Sequence, residues 1–345
     1  TKTRIILMNG TEFEANWFSH QFSRHCDDND LRREIALSRR VEQQQQKKIA
    51  VLKPADESLL ETTIGYEQLA VDLTARLAQD EKDHNVKKAL DFALLEDFDH
   101  LYRYSDLLDM EYGIHAERLV GKYTEIMPGR PTISEHRFPF DDIRRYIDAK
   151  TADPLTKLHV NIITAAEQQT MNFYMNVAPI YTTDLGRRLY QEIAMIEEQH
   201  VSQYGSLIDT RCSWLENLLM HEYTECYLYY SCFEDETDPH IKKIWEQHYI
   251  QEVAQLHKAA ELLKKYDHKE WQEVIPNGAF PKLLSLGPNI EYVREVLKSV
   301  RLTAQKEDYT DDHKQDYRFE VEPHPIEALQ DRTCDNTKLG RVKGV

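Results

Sequence analysis

An all-α fold is predicted by three features of the sequence. Glycine (11) and proline (12) are scarce in 345 residues, whereas the helix formers Glu, Leu, Gln, Lys and Ala are plentiful. Apolar residues recur at helical spacing along several stretches. One helical plan is also repeated, because Val86-Lys87-Lys88-Ala89-Leu90, Gly186-Arg187-Arg188-Leu189-Tyr190 and Ile241-Lys242-Lys243-Ile244-Trp245 align at offsets of 100 and 55 residues.

Taken in order, residues 1–53 form an N-terminal extension. It opens with a β-like run, Arg4-Ile5-Ile6-Leu7-Met8, closed by Asn9-Gly10, and turns helical through Glu42 and its glutamines. A helical domain is expected over 54–266. Its first hairpin, about 55–112, starts after Pro54 with the stripe Leu60, Ile64, Val71 and Ala78, stops near Asp80, and resumes behind the N-cap Asp83. The returning stripe is Leu90, Leu94, Leu101, Tyr104 and Leu107, ending around Gly113.

Residues 114–153 contain Pro128, Gly129, Pro131 and Pro139 and read as a long irregular crossover. The second hairpin, about 154–210, begins at Asp153-Pro154 and turns between Pro179 and the cap Thr183. A third, about 212–266, turns at Asp238-Pro239. Residues 267–345 make a C-terminal extension with one amphipathic helix near Ile290–Thr303 and a charged, proline-containing tail. That tail is expected to wrap the domain or a partner subunit of a homo-oligomer.

The formal charge is −17, and no Lys/Arg block with interleaved aromatics is present, which argues against nucleic acid and anionic membranes as partners. No apolar run approaches the roughly 18 residues that span a bilayer. Five cysteines form no C-x-x-C pair, so a reducing cytoplasm is expected, with Cys226 and Cys232 buried on a helix.

Within the repeat, Glu67 and Glu167 each precede a carboxylate-x-x-His pair, Asp97/His100 or Glu197/His200, by the same 30 residues. With a turn midway, about 13 helical residues run out and 13 run back, so the lone Glu and the pair return to one level. All six fall on apolar stripes, with Glu96 and Glu198 assigned to the opposite, solvent-facing sides. Burying four carboxylates together costs several kcal/mol each unless they are compensated. Two divalent cations would cancel their formal charge of about −4, and such a ligand set suits a dimetal centre between four helices. The third hairpin repeats the plan with Glu222, Glu252 and Gln255, the last in the His position, and reads as a repeat without its own metal.

This set resembles that of the ferritin-like di-iron carboxylate superfamily. Its near-two-fold Glu…Glu-x-x-His arrangement is most similar to the rubrerythrin and erythrin branch, over about 54–266. The resemblance implies a four-helix bundle extended by the third hairpin. It also implies two metal ions, iron first and manganese or a mixed Fe/Mn pair second, and an oxidoreductase acting on dioxygen or hydrogen peroxide. By that likeness Glu167 and one of Asp97 or Glu67 bridge, while His100 and His200 each bind one metal. Asp97 departs from the family's usual Glu, with Glu96 a substitute. A rubredoxin-type cysteine pair is absent, so the electrons are expected to come from elsewhere, from an unknown donor.

Other features carry less. Tyr104 and Tyr204, one turn beyond the histidines, are candidates for hydrogen bonding to the ligands or for radical transfer, against plain core packing. His221-Glu222-x-x-Glu225 lacks the second histidine of a zinc-hydrolase helix. His20, His25 and Cys26 lack a matching second pair of ligands, and Tyr223, Tyr227, Tyr229 and Tyr230 suit packing between hairpins. The reading from another class is a non-catalytic helical scaffold with a vestigial metal site. Iron storage fits less well, since the extensions would obstruct a shell.

Overall fold

The computed structural model of the chain describes residues 1–128 and 143–298. Gly129, Pro131 and Pro139 of the crossover, and the tail beyond Lys298, lie outside the described residues. The rest is helical, with no strand among the described residues. The hairpins expected from sequence are α3 (Leu59–Asp80) with α4 (His84–Tyr112), α6 (Pro154–Val177) with α7 (Asp184–Gly205), and α8 (Trp214–Asp235) with α9 (Pro239–Leu262).

Their ends follow local chemistry. Asp83, Thr183 and Asp238 accept backbone N–H bonds as N-caps, and α4 stops at Gly113, whose φ of 66° is the left-handed conformation that a glycine takes freely. The start of α3 lies at Ser58, not directly after Pro54. Ser58 and Glu61 form a reciprocal capping box, as do Ser213 and Glu216 on α8.

The β-like run at 4–8 is a correction: it belongs to α1 (Lys2–His25), which turns at Asp28 into α2 (Asn29–Ala50). Ile5, Ile6, Leu7 and Met8 are at most 4% exposed, because α1 lies against α3, α6 and α8 together. A helix covered on several sides shows a continuous apolar run instead of a stripe, and that run imitates a buried strand. Asn9-Gly10 is likewise not a turn. Asn9 Nδ2 donates to Gln169 Oε1 at 2.6 Å, and Gln169 Nε2 donates to the Ile6 carbonyl at 3.0 Å.

Residues 1–50 therefore form a fourth hairpin. At an offset of 55, Glu12, Asp28, Glu42 and Gln45 align with Glu67, Asp83, Asp97 and His100. Offsets of 155 relate the two halves of the chain, so Ser58/Glu61 matches Ser213/Glu216. Each bundle takes one hairpin from each half: α3–α4 faces α6–α7, and α1–α2 faces α8–α9. The junctions obey the same relation. Glu81, before the α4 cap, accepts from Thr156 and His159 at the start of α6; Glu236, before the α9 cap, accepts from Thr1 and Arg4 at the start of α1.

After α9 and a short π-helical turn at Leu263–Asp267, the chain runs back along α8, where Tyr223 and Tyr227 donate to the carbonyls of Ala279 and Lys282. It then lays α10 (Ile290–Lys298) on the first bundle, with Tyr292 bonded to Asp91. A further short helix, α5 (Glu117–Val120), follows α4. No helix among the described residues is long and apolar enough to cross a membrane.

The two bundles touch closely at Gly10, where an added Cβ would lie 2.6 Å from Gln169 Nε2 and 3.0 Å from its Cδ. Gly10→Ala is therefore expected to displace Gln169 and break its bonds to Asn9 and Ile6, destabilising the protein by about 1–3 kcal/mol despite alanine's better helix propensity. Chemical denaturation checks this. A variant as stable as the parent would show that Gln169 gives way without loss.

Candidate metal centre

Glu67 comes from α3, Asp97 and His100 from α4, Glu167 from α6, and Glu197 and His200 from α7. All six converge, each no more than 1% exposed. Ligand atoms of Asp97, Glu167, Glu197 and His200 lie within 4.8 Å of one another, as do those of Glu67, His100 and Glu197. Glu197 is common to both groups. The resemblance gave the shared position to Glu167 and to Asp97 or Glu67, so the arrangement differs there.

His100 Nδ1 donates to Glu197 Oε1 at 3.1 Å and His200 Nδ1 to Glu197 Oε2 at 3.2 Å, which places the carboxylate between the two rings, 6.1 Å apart by centroid. Asp97 Oδ1 stands 3.5 Å and Glu167 Oε2 4.0 Å from His200 Nδ1. Thr74 Oγ1 donates to Asp97 Oδ2, and the Tyr174 hydroxyl donates to Glu67 Oε1.

Glu96 does not face solvent. It is wholly buried, and His200 Nε2 donates to its Oε2, so Glu96 fixes the imidazole from behind while Nδ1 points to Glu197. Glu96 thus adds a carboxylate beside Asp97 instead of replacing it. The position 100 residues on is Ile196, and His100 Nε2 has no partner, so the near-two-fold symmetry breaks at this pair. Glu198 is exposed, as the stripe implies.

Tyr104 and Tyr204 are fully buried, and neither hydroxyl has a hydrogen-bond partner. They do not bond to the ligands; Tyr204 packs with its ring 6.4 Å from that of His200. The tyrosine that reaches a ligand is Tyr174 on α6, which the sequence does not single out. Tyr174, Tyr104, Tyr190 and Tyr181 form a run, with successive ring centroids 5.2, 4.8 and 5.1 Å apart, that leads from Glu67 to Glu111 near the end of α4.

The electrostatics are those of a buried site with more carboxylates than imidazoles. Burial, reinforced by Glu197, raises Glu67 well above the ordinary carboxylate range; burial with Asp97 and Glu197 does the same to Glu167. Burial pushes Asp97 up to about 7 against the pull of His200. Glu197 goes the other way: burial would raise it, but hydrogen bonds from His100 and His200 hold it below the usual range. Burial would lower His200, yet bonding to Glu197 and Glu96 raises it. Among the described residues no lysine or arginine pairs with any of these five carboxylates.

Comparison with protein-family models, curated proteins and solved structures finds no match. The site therefore stands on its own geometry. Glu67 Oε2, Asp97 Oδ1, both Glu167 oxygens and His100 Nε2 are buried without a partner. Buried polar atoms in native proteins are normally satisfied, and a mixed carboxylate and imidazole set with open valences fits divalent metal.

The other sequence candidates scatter. His25 stacks on Trp214, Cys26 donates to the Asp28 carbonyl, and His221 pairs with Glu14 at 3.2 Å. Cys226 and Cys232 are buried free thiols, as expected.

Proposed function

We propose that the protein is a ferritin-like dimetal oxidoreductase, with iron as its metal, acting on dioxygen or hydrogen peroxide. The observation that carries this reading is Glu197, shared by two carboxylate–imidazole groups in an interior where, among the described residues, no lysine or arginine balances them. Glu67 and His100 would hold one ion, Asp97, Glu167 and His200 the other, and Glu197 both.

When bound, such a pair supplies reducing electrons and Lewis acidity to a small oxidant. The chain contributes the rest. Glu96 orients His200, Tyr174 steadies Glu67, and burial of the whole set excludes bulky reactants. The tyrosine run gives an external electron donor a line of polarisable rings toward the site.

Purified protein is expected to hold about two iron ions per chain, and the His100→Ala, His200→Ala double variant to lose at least half of that iron. Elemental analysis measures this. Reduced, iron-loaded protein should consume peroxide with a change in its optical spectrum that the double variant lacks. Full metal content in a folded double variant would remove the site; many atoms per chain would indicate storage, and none a scaffold.

A further inference from the structure

The second bundle carries the same four-position frame as the first. Glu12, Glu42, Glu222 and Glu252 occupy the positions of Glu67, Asp97, Glu167 and Glu197, and Gln45 and Gln255 those of His100 and His200, pairing hairpin with hairpin across the bundle. The supporting tyrosine is also kept. Tyr229, 55 residues after Tyr174, donates to Glu12 as Tyr174 does to Glu67, and His248 bonds to the same hydroxyl at 3.1 Å.

Two differences change the chemistry. Both imidazoles are replaced by amides, and Glu225 adds a carboxylate where the first bundle has Thr170. Oxygen atoms of Glu42, Glu222, Glu225 and Glu252 lie within 4.8 Å of one another, all four residues at most 3% exposed. Among the described residues none of them pairs with a lysine or arginine.

The amides add an observation independent of the acidic cluster. Gln45 Nε2 donates to Glu252, and Gln255 Nε2 donates to Glu42 and Glu252, so both side chains reach into the group. Their oxygens, however, are buried without any donor, as are one oxygen each of Glu12, Glu42 and Glu222 and both of Glu225. So many buried acceptors without a hydrogen-bond partner, crowded around one cluster of carboxylates, suit a positive ion. Carboxylate and amide oxygens with no nitrogen or sulfur make a hard donor set, which suits magnesium, calcium or manganese over zinc or copper.

We propose that the second bundle is a separate binding site for one hard divalent cation, held by Glu42, Glu222, Glu225 and Glu252 with amide oxygen from Gln45 or Gln255. The proposal is independent of the chemistry assigned to the first bundle. The ion would offset the charge of the interior and join the N-terminal hairpin to α8–α9, the two hairpins farthest apart in sequence. With two imidazoles replaced by hard oxygens, its role is structural.

The test uses Mn²⁺ itself, followed by loss of the free-ion paramagnetic resonance signal as metal-stripped full-length protein is titrated. With the first centre disabled by His100→Ala and His200→Ala, about one Mn²⁺ per chain should still bind, and adding Glu225→Gln and Glu252→Gln should weaken it by tenfold or more. Excess Mg²⁺ or Ca²⁺ should compete, whereas Mn²⁺ should raise the melting temperature only where Glu225 and Glu252 are intact. If the histidine variant does not fold, the comparison moves to the parent, where Glu225→Gln with Glu252→Gln should lower the Mn²⁺ count by about one per chain. No Mn²⁺ on the folded histidine variant, or a count and affinity unchanged by the glutamine substitutions, overturns the proposal.

Discussion

Removing the metal is expected to lower the melting temperature at pH 7 by about 15 °C and to reverse the pH dependence of stability. An ion present at a thousandfold excess over its dissociation constant adds about 4 kcal/mol, and each kcal/mol shifts the melting point of a protein this large by about 1–2 °C. The two ions of the first bundle and the one of the second together reach the figure. The reversal follows from the buried acids. In the metal-free protein, burial first and neighbouring carboxylates second raise Glu12, Glu67, Glu167, Glu222, Glu225 and Glu252; burial takes Glu42 and Asp97 to about 7.

A raised folded-state value means that the folded chain keeps protons the unfolded chain releases. Each such group contributes stability that is complete below its unfolded value and lost as pH rises through its folded one, for Glu42 and Asp97 by about 7. The loss is roughly 1.4 kcal/mol per pH unit for each titrating group. Glu197 acts oppositely, its contribution disappearing only as pH falls below the ordinary carboxylate range. Asp72, raised to about 7 by burial outside both clusters, adds its slope with or without metal. Metal-free protein should therefore be most stable in mild acid and weaken toward neutrality.

Bound metal requires the same carboxylates deprotonated, so loaded protein should be most stable near neutrality and release its metal on acidification. Thermal melts by circular dichroism at several pH values between about 4.5 and 8, with and without chelator, compare the two. Parallel profiles would mean that neither acidic cluster is a metal site.

What the sequence discloses follows from which helices have a wet side. α3, α4, α6 and α7 each keep exposed positions, so their stripes, their caps at Asp83 and Thr183, and the inward register of all six ligand candidates are legible. The burial of Glu96 is missed for a related reason: α4 is covered by both α3 and α7, and its buried face is wider than a single stripe suggests. α1 has almost no wet side along its first half, and a periodicity reading has nothing to hold there. The signal that survives is spacing. Glu12, Glu42 and Gln45 stand 55 residues before Glu67, Asp97 and His100, but without histidine they do not announce themselves as a site. Tyr174 and Tyr229 are similarly hidden among apolar neighbours, their equivalence visible only once both hydroxyls are seen on matching glutamates.

That equivalence makes a gain of metal the sharpest expectation for the second bundle. Replacing Gln45 and Gln255 with His, and Glu225 with Ala to remove the extra carboxylate, gives it the donor types of the first: lone Glu12 and Glu222, and the pairs Glu42-x-x-His and Glu252-x-x-His. Glutamine and histidine are similar in reach, and both amide nitrogens already touch Glu252, so the new rings arrive at carboxylates in place. Glu225→Ala also removes a carboxylate with two unpartnered oxygens, which should offset strain from the rings. Iron bound per chain should then rise from about two toward about four, with the first centre's optical signature intact. Elemental analysis after anaerobic iron loading reads the change directly. A folded triple variant still holding about two would place the difference between the bundles in the helical frame, since both would then present the same donor types at the same spacings.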